Sequence, residues 1–158
     1  MISSASSSLF VYGTLMSPQV LRVLIGRLPE MIDPATLKGY RRYPVKDQSY
    51  PGMVSGSAED YVTGIILHEL TESDLQVLDW FEGDEYTRRN VQVQCGPTIL
   101  TTQTYAWSNP ISDLDTRMDW NYETFCDSLL ESYLLQTVQP CRVQLNKLNI
   151  GICNEEEQ

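Results

Sequence analysis

The sequence predicts an α+β fold, a small mixed barrel-like sheet carrying a short mid-chain helix and a long helix near the C-terminus. Three observations predict it. Strand-like segments outnumber helical ones by about two to one, on hydrophobic periodicity. Few of them follow a strand–helix–strand order, which argues against a doubly wound parallel sheet. Two β-rich segments, residues 86–94 and 98–107, flank a Cys95-Gly96-Pro97 turn and read as a hairpin. At 158 residues the chain is expected to form a single domain over 1–158, large enough for one core.

In order, residues 1–8 (MISSASSS) are a small polar leader, expected to be disordered and lacking the basic start of a signal peptide. Leu9, Phe10, Val11 and Tyr12 make an apolar run too short for a helix and stopped by Gly13, so a buried strand is expected. Ser17-Pro18 is a strong helix start, followed by Val20, Leu21 and Leu24 and closed by Gly26. Residues 35–43 read as a strand with a bulge at Gly39, and Met53-Val54 as a brief strand. Residues 61–70 (YVTGIILHEL) are a strong strand with His68 near its end, read as an ordinary hydrogen-bonded strand residue. A helix over 75–82 follows, introduced by Thr71, Ser73 and Asp74 and ended by Gly83. The long helix spans about 112–137, with an apolar stripe of Trp120, Phe125, Leu129, Leu130, Tyr133 and Leu134. Core packing is the commoner use of such a stripe, and a protein partner is the alternative. Residues 138–152 suggest an edge strand or surface chain, and 154–158 an acidic tail.

Composition excludes several function classes. The formal net charge of −10 repels phosphate backbones, so neither nucleic acid nor an anionic membrane is an expected partner. No segment is long and apolar enough for a membrane span. The four cysteines, Cys95, Cys126, Cys141 and Cys153, show no CxxC spacing and accompany a single histidine, so no metal site is expected. A cytoplasmic protein with reduced thiols and no cofactor is the expectation.

Two stretches carry chemistry. The amides of Gly13, Thr14 and Leu15, between a strand and a helix start, are placed to present N–H groups to an anion. An ordinary tight turn is the plain alternative. In the second stretch, LDWFEGDEYTRR, Glu82 falls between Leu75 and Leu78 on the helical wheel at about 100° per residue. It is therefore turned toward the core, at the negative end of a helix dipole. Burial and dipole both disfavour its charge, so its pKa is expected to rise toward the range of a general acid/base. Fraying of the last turn, which would let Glu82 reach water, is the alternative.

Together these stretches resemble a known family. Phe10-Val11-Tyr12-Gly13-Thr14-Leu15 is similar to the signature that opens γ-glutamylcyclotransferase-like domains. Leu78-Asp79-Trp80-Phe81-Glu82-Gly83, with Tyr86 and Arg88, resembles the second signature. Lys38-Gly39-Tyr40, Tyr43-Pro44 and Tyr50-Pro51 resemble the segment between them. The resemblance implies a barrel-like α/β fold and a loop after the first strand that holds the substrate's amino-acid end. It also implies a catalytic glutamate and cyclisation of a γ-glutamyl compound to 5-oxoproline without metal or cofactor. Carried over by motif, Glu82 becomes the catalytic residue, and Tyr12, Gly13, Thr14 and Leu15 the substrate-binding loop. Tyr105 is assigned, by analogy, to a tyrosine late in the domain that borders the pocket. The long helix resembles the C-terminal extension of the plant avirulence-induced branch. Two other readings stay open at this point. One is a binding or interaction module that keeps the pocket; the other is a different amide-cleaving or acyl-transfer enzyme using Glu82.

Overall fold

β-Branched and aliphatic side chains favour extended chain when one face can be buried. Here they bury it by closing a barrel. The computed structural model of the protein describes residues 7–151. Around the barrel run β1 (Ser7–Val11), β5 (Tyr61–Leu70), β2 (Glu30–Lys38), β6 (Tyr86–Cys95) and β7 (Thr98–Trp107). β7 returns to β1 as a parallel pair, Leu9 opposite Gln103 and Phe10 opposite Thr104, while the other neighbours are antiparallel. The sheet is thus mixed. Closure gives each barrel strand a neighbour on both sides. β3 (Tyr40–Pro44) and β4 (Pro51–Ser55) form a separate two-stranded sheet.

The period-2 alternation of strand side chains divides the core in two. Phe10 and Tyr12 point into the cluster formed with Leu37, Ile66, Val91 and Val93. Leu9 and Val11 point the other way and pack with Leu67 and Leu78 and with residues of the C-terminal helices. That outer layer is where the helices sit.

α1 (Pro18–Ile25) starts as its sequence requires: the Ser17 hydroxyl accepts from the Val20 amide at 3.2 Å, and Gly26 ends the helix at φ 77°. α2 (Glu72–Glu82) begins at a reciprocal cap. The Thr71 hydroxyl accepts from the Asp74 amide at 3.0 Å, and the Asp74 carboxylate accepts from the Thr71 amide at 2.9 Å. Arg27 also pairs with Asp74. Leu75 and Leu78 are buried, and Gly83 ends α2 at φ 68°. Thr71→Ala is expected to cost about 1 kcal/mol by orphaning one helical amide. Urea denaturation checks this, and an unchanged midpoint would show the cap to be dispensable.

Several boundaries differ from the sequence expectations. Gly39 is not a bulge within one strand: at φ 84° it is a corner that ends β2 and starts β3 in the other sheet. β2 begins at Glu30, earlier than its apolar pattern suggests, because much of its first half is exposed or only half-buried. Ser7 and Ser8 of the expected leader belong to β1. Residues 1–6, Cys153 and the acidic tail 154–158 lie outside the described residues.

The C-terminal helix expected from 112 starts later and runs further. After a 3-10 turn at Ile111–Asp113 the chain stays irregular, pinned by buried Leu114 and by the Trp120 indole N–H on the Ser49 carbonyl at 2.8 Å. Helix begins only where Asn121 supplies a cap, its side chain accepting from the Thr124 amide at 2.8 Å. It then proceeds as α3 (Tyr122–Ser128), α4 (Leu130–Tyr133), a π-helical segment Leu134–Val138, and α5 (Gln139–Lys147). Pro140 does not break it, because in the first turn of α5 its missing N–H is not needed. Of the expected stretch 138–152, the described residues 138–151 are mostly helix and form no edge strand, and Ile152 lies outside the described residues. Trp120, Phe125, Leu130 and Tyr133 of the apolar stripe are buried, as are Val138 and Leu145 beyond it. Among the described residues no helix is long and apolar enough to cross a membrane.

Candidate active site

β1 ends at Val11, and the chain must turn to enter α1. It does so through a 3-10 turn, Thr14–Met16, in which the Met16 and Ser17 amides close on the Gly13 and Thr14 carbonyls at 3.0 and 3.1 Å. Among the described residues the amides of Gly13, Thr14 and Leu15 close on no such carbonyl. Gly13, Thr14 and Leu15 border a cavity of about 150 Å³. α2 approaches from the other side, and its last residue, Glu82, lines the same cavity. Tyr12, Gly13, Thr14, Leu15, Glu82 and Tyr105, all singled out in the sequence, thus border one space.

Glu82 is half-buried and lines the cavity. Its pKa is pushed up to about 8, first by burial, then by the negative neighbours Glu85 and Asp79. The direction matches the expectation from helical phase, although the sequence reading missed both carboxylates.

Asp79 lies one helical turn before Glu82 and is itself well held. Tyr105 donates its hydroxyl to Asp79 Oδ1 at 2.7 Å, and Arg88 Nη2 donates to Oδ2 at 3.1 Å. Arg88 Nε lies 3.1 Å from Oδ1, an ion pair without good hydrogen-bond alignment. Arg88 also donates to Gln103 Oε1 at 2.8 Å. The Tyr105 ring faces the cavity wall, then, while its hydroxyl fixes the helix that carries Glu82.

Tyr12 contributes its ring and backbone. Its hydroxyl donates to the Tyr105 carbonyl at 2.5 Å, and its own carbonyl accepts from Arg42 at 2.7 Å. Burial raises the Tyr12 phenol well above its ordinary pKa. The close approach that Gly13 permits is made by the chain itself. A Cβ there would meet Pro51 Cδ and Cγ at 2.9 Å, so glycine lets β4 pack against the loop.

Sequence reasoning missed the remaining walls. Tyr50 donates to Glu85 Oε1 at 3.0 Å, and Tyr86 donates to the Pro51 carbonyl at 2.6 Å. Tyr133 and Thr137 come from the C-terminal helical segment. Tyr133 shares a 3.3 Å hydrogen bond with the Thr14 hydroxyl, and its ring stands edge-on to Phe81, 6.3 Å between centroids. Tyr50 and Tyr86 stood in the sequence stretches that carried the resemblance. Tyr133 had no local signal beyond its place in the apolar stripe.

Comparison with known proteins places this geometry. Residues 9–123 match the family described as γ-glutamyl cyclotransferase, AIG2-like. AIG2-like protein D of Arabidopsis thaliana is 37% identical over 133 residues, covering 82% of this chain and 86% of the relative. A solution structure from Arabidopsis thaliana superposes with a TM-score of 0.62 at 30% identity, covering 89% of this chain and 97% of that one. A solved γ-glutamyl cyclotransferase shares the fold, with a TM-score of 0.61 at 16% identity over 92% of this chain and 88% of its own. With the barrel, the loop after β1 and the glutamate closing α2 in one cavity, the chain belongs to the AIG2-like γ-glutamyl cyclotransferase family.

Proposed function

We propose that the protein is a γ-glutamyl cyclotransferase that converts a γ-glutamyl compound to 5-oxoproline and a free amine or amino acid. The observation that carries this is the convergence of Glu82, its pKa raised to about 8, with the loop after β1, whose Gly13, Thr14 and Leu15 amides close on no backbone carbonyl among the described residues. The loop amides hold the α-carboxylate of the glutamyl half. The neutral α-amine, tethered to its own target, attacks the γ-carbonyl carbon, so proximity comes largely from the substrate. A C–N bond forms to close the five-membered lactam, and the original amide C–N bond breaks. The electron pair leaves with the amine nitrogen. The Glu82 carboxylate takes a proton from the attacking nitrogen and returns it to the departing one, so one group serves both transfers.

A screen of γ-glutamyl amides, peptides and amines for 5-oxoproline release tests this reading. Release from at least one, lost in Glu82→Gln, is expected. Binding of such compounds without release from any of them would favour a ligand-binding module.

The scheme fixes the pH dependence. Glu82 must begin as the carboxylate and the substrate amine as the neutral form, so kcat/KM should rise with pH along a limb through the region near 8, where this carboxyl titrates. Removing a negative neighbour favours ionisation, so the limb should move down in Glu85→Gln and, by less, in Asp79→Asn. Burial is the largest cause, so neither substitution restores an ordinary carboxylate value. Initial-rate pH profiles of the three proteins check the order.

A further inference from the structure

Five tyrosines line the cavity, and four of them spend their hydroxyl hydrogen on the protein. Tyr12 donates to the Tyr105 carbonyl at 2.5 Å, Tyr105 to Asp79 at 2.7 Å, Tyr50 to Glu85 at 3.0 Å and Tyr86 to the Pro51 carbonyl at 2.6 Å. Tyr133 differs. Its partner, 3.3 Å away, is another hydroxyl, that of Thr14. Two hydroxyls carry two hydrogens, and the bond between them uses one. Whichever of the pair donates, the other keeps a hydrogen, and among the described residues neither oxygen has a further protein partner. Thr14 and Tyr133 are 5% and 6% exposed, so that hydrogen is left to the cavity that both residues line. Thr137, the other hydroxyl on the lining, is exposed and has water for a partner. Burial raises the Tyr133 phenol above its ordinary pKa, so it stays protonated near neutral pH.

An anion in this cavity has need of such a donor. Glu82 and Glu85 are the charged residues of the lining, and among the described residues no lysine, arginine or histidine joins them. A carboxylate held there depends on neutral donors, the loop amides and the O–H of this pair. Tyr133 is itself firmly held. Its ring stands edge-on to Phe81 at 6.3 Å and to Phe125 at 5.3 Å between centroids. Further along the same segment, Arg142 donates to the Leu24 carbonyl at 2.5 Å, which ties α5 to the end of the helix that the loop opens. Phe125, Tyr133 and Arg142 all lie beyond residue 123, where the family match ends.

We propose that the Thr14–Tyr133 hydroxyl pair completes the anion site of the loop after β1, donating one O–H hydrogen bond to the α-carboxylate of the glutamyl half. The inference rests on the cyclotransferase reading and brings Tyr133, a residue outside the family-matching region, into substrate binding.

Titration calorimetry with 5-oxoproline and with 5-oxoprolinamide, the same lactam bearing a neutral carboxamide, tests it. The wild-type protein should bind the carboxylate about tenfold or more tightly than the carboxamide. Tyr133→Phe keeps the ring and its aromatic neighbours and leaves the Thr14 hydroxyl free to turn away. The preference should then fall about fivefold or more, chiefly through weaker binding of 5-oxoproline. Thr14→Ser, which keeps the hydroxyl, should retain the preference, and Thr14→Val should lower it as Tyr133→Phe does. If Tyr133 merely supported the loop, both compounds would weaken alike and their ratio would not move. For any γ-glutamyl compound that releases 5-oxoproline, Tyr133→Phe should raise KM by a similar factor and leave kcat within about twofold, because the carboxylate is bound alike before and during reaction. Circular dichroism establishes that each variant is folded, and where Tyr133→Phe is not, the two Thr14 variants decide. If no γ-glutamyl compound releases 5-oxoproline but the binding preference falls as stated, the cyclotransferase reading fails and the anion site stands. No preference in the wild type, no binding of 5-oxoproline at all, or a ratio unmoved by Tyr133→Phe overturns the proposal.

Discussion

Glu82→Gln is expected to lower 5-oxoproline release by on the order of a hundredfold or more, with the protein still folded. Glutamine keeps the shape and hydrogen-bonding capacity of the side chain and loses only the titrating proton. Stability should move the opposite way from activity. In the unfolded chain Glu82 titrates near its ordinary value of 4.5, and in the folded protein near 8. Between those values the folded state holds a proton that the unfolded state has lost. The stabilising contribution is therefore full below the lower value and falls steadily as pH rises to the upper one. Wild type should lose stability from pH 5 to pH 8 relative to Glu82→Gln, by about 1–3 kcal/mol for a carboxyl that still meets solvent through a cavity. Urea midpoints of both proteins at the two pH values measure the difference. Wild-type turnover by Glu82→Gln would remove the catalytic assignment, and a pH-independent stability difference would show that Glu82 is ionised throughout.

Gly64→Ala should be the most damaging small substitution in the barrel. A Cβ at Gly64 would stand 2.2 Å from the Val11 carbonyl oxygen and 3.1 Å from Phe10 Cζ. The first obstacle is backbone of β1, held from both sides by β5 and β7, so no side chain can rotate away to make room. The substitution should cost about 3 kcal/mol or more, as overpacking against a fixed backbone does. Because β1 delivers the loop of Tyr12, Gly13, Thr14 and Leu15 to the cavity, ligand binding should weaken even where the variant remains folded. A urea midpoint within about 0.5 kcal/mol of wild type would mean that β1 moves freely against β5.

What the sequence made legible was local. The strand Tyr61–Leu70, the β6–β7 hairpin and α2 each carry their own pattern, cap or turn, and the inward phase of Glu82 follows from two leucines on the same helix. The barrel closure was not local: a parallel contact between β1 and β7 joins segments some ninety residues apart and leaves no mark on either. The first half of β2 was hidden because its side chains are largely exposed or half-buried, so neither apolar run nor alternation announces it. The C-terminal helix was displaced in the reading because the stripe begins at Trp120, which packs from irregular chain before any helix starts. In the site, the loop and Glu82 were legible, and Tyr105 came by analogy alone. Glu85, Tyr50, Tyr86 and Tyr133 were not assigned, because a cavity wall is set by what folds against it and not by spacing along the chain.

The parallel β1–β7 seam has a consequence for how the chain is made. β1 emerges early, but its partner on one side, β5, is complete only at Leu70, and its partner on the other is reached only at Gln103 and Thr104. At about 5–20 residues per second of synthesis, Leu9, Phe10 and Val11 spend roughly 5–20 s with at least one hydrogen-bonding edge open. An apolar strand in that condition is a template for pairing with other chains. The nascent protein is thus most exposed to co-translational aggregation before the ribosome has produced β7, and that interval is when a chaperone bound near the N-terminus would protect it most.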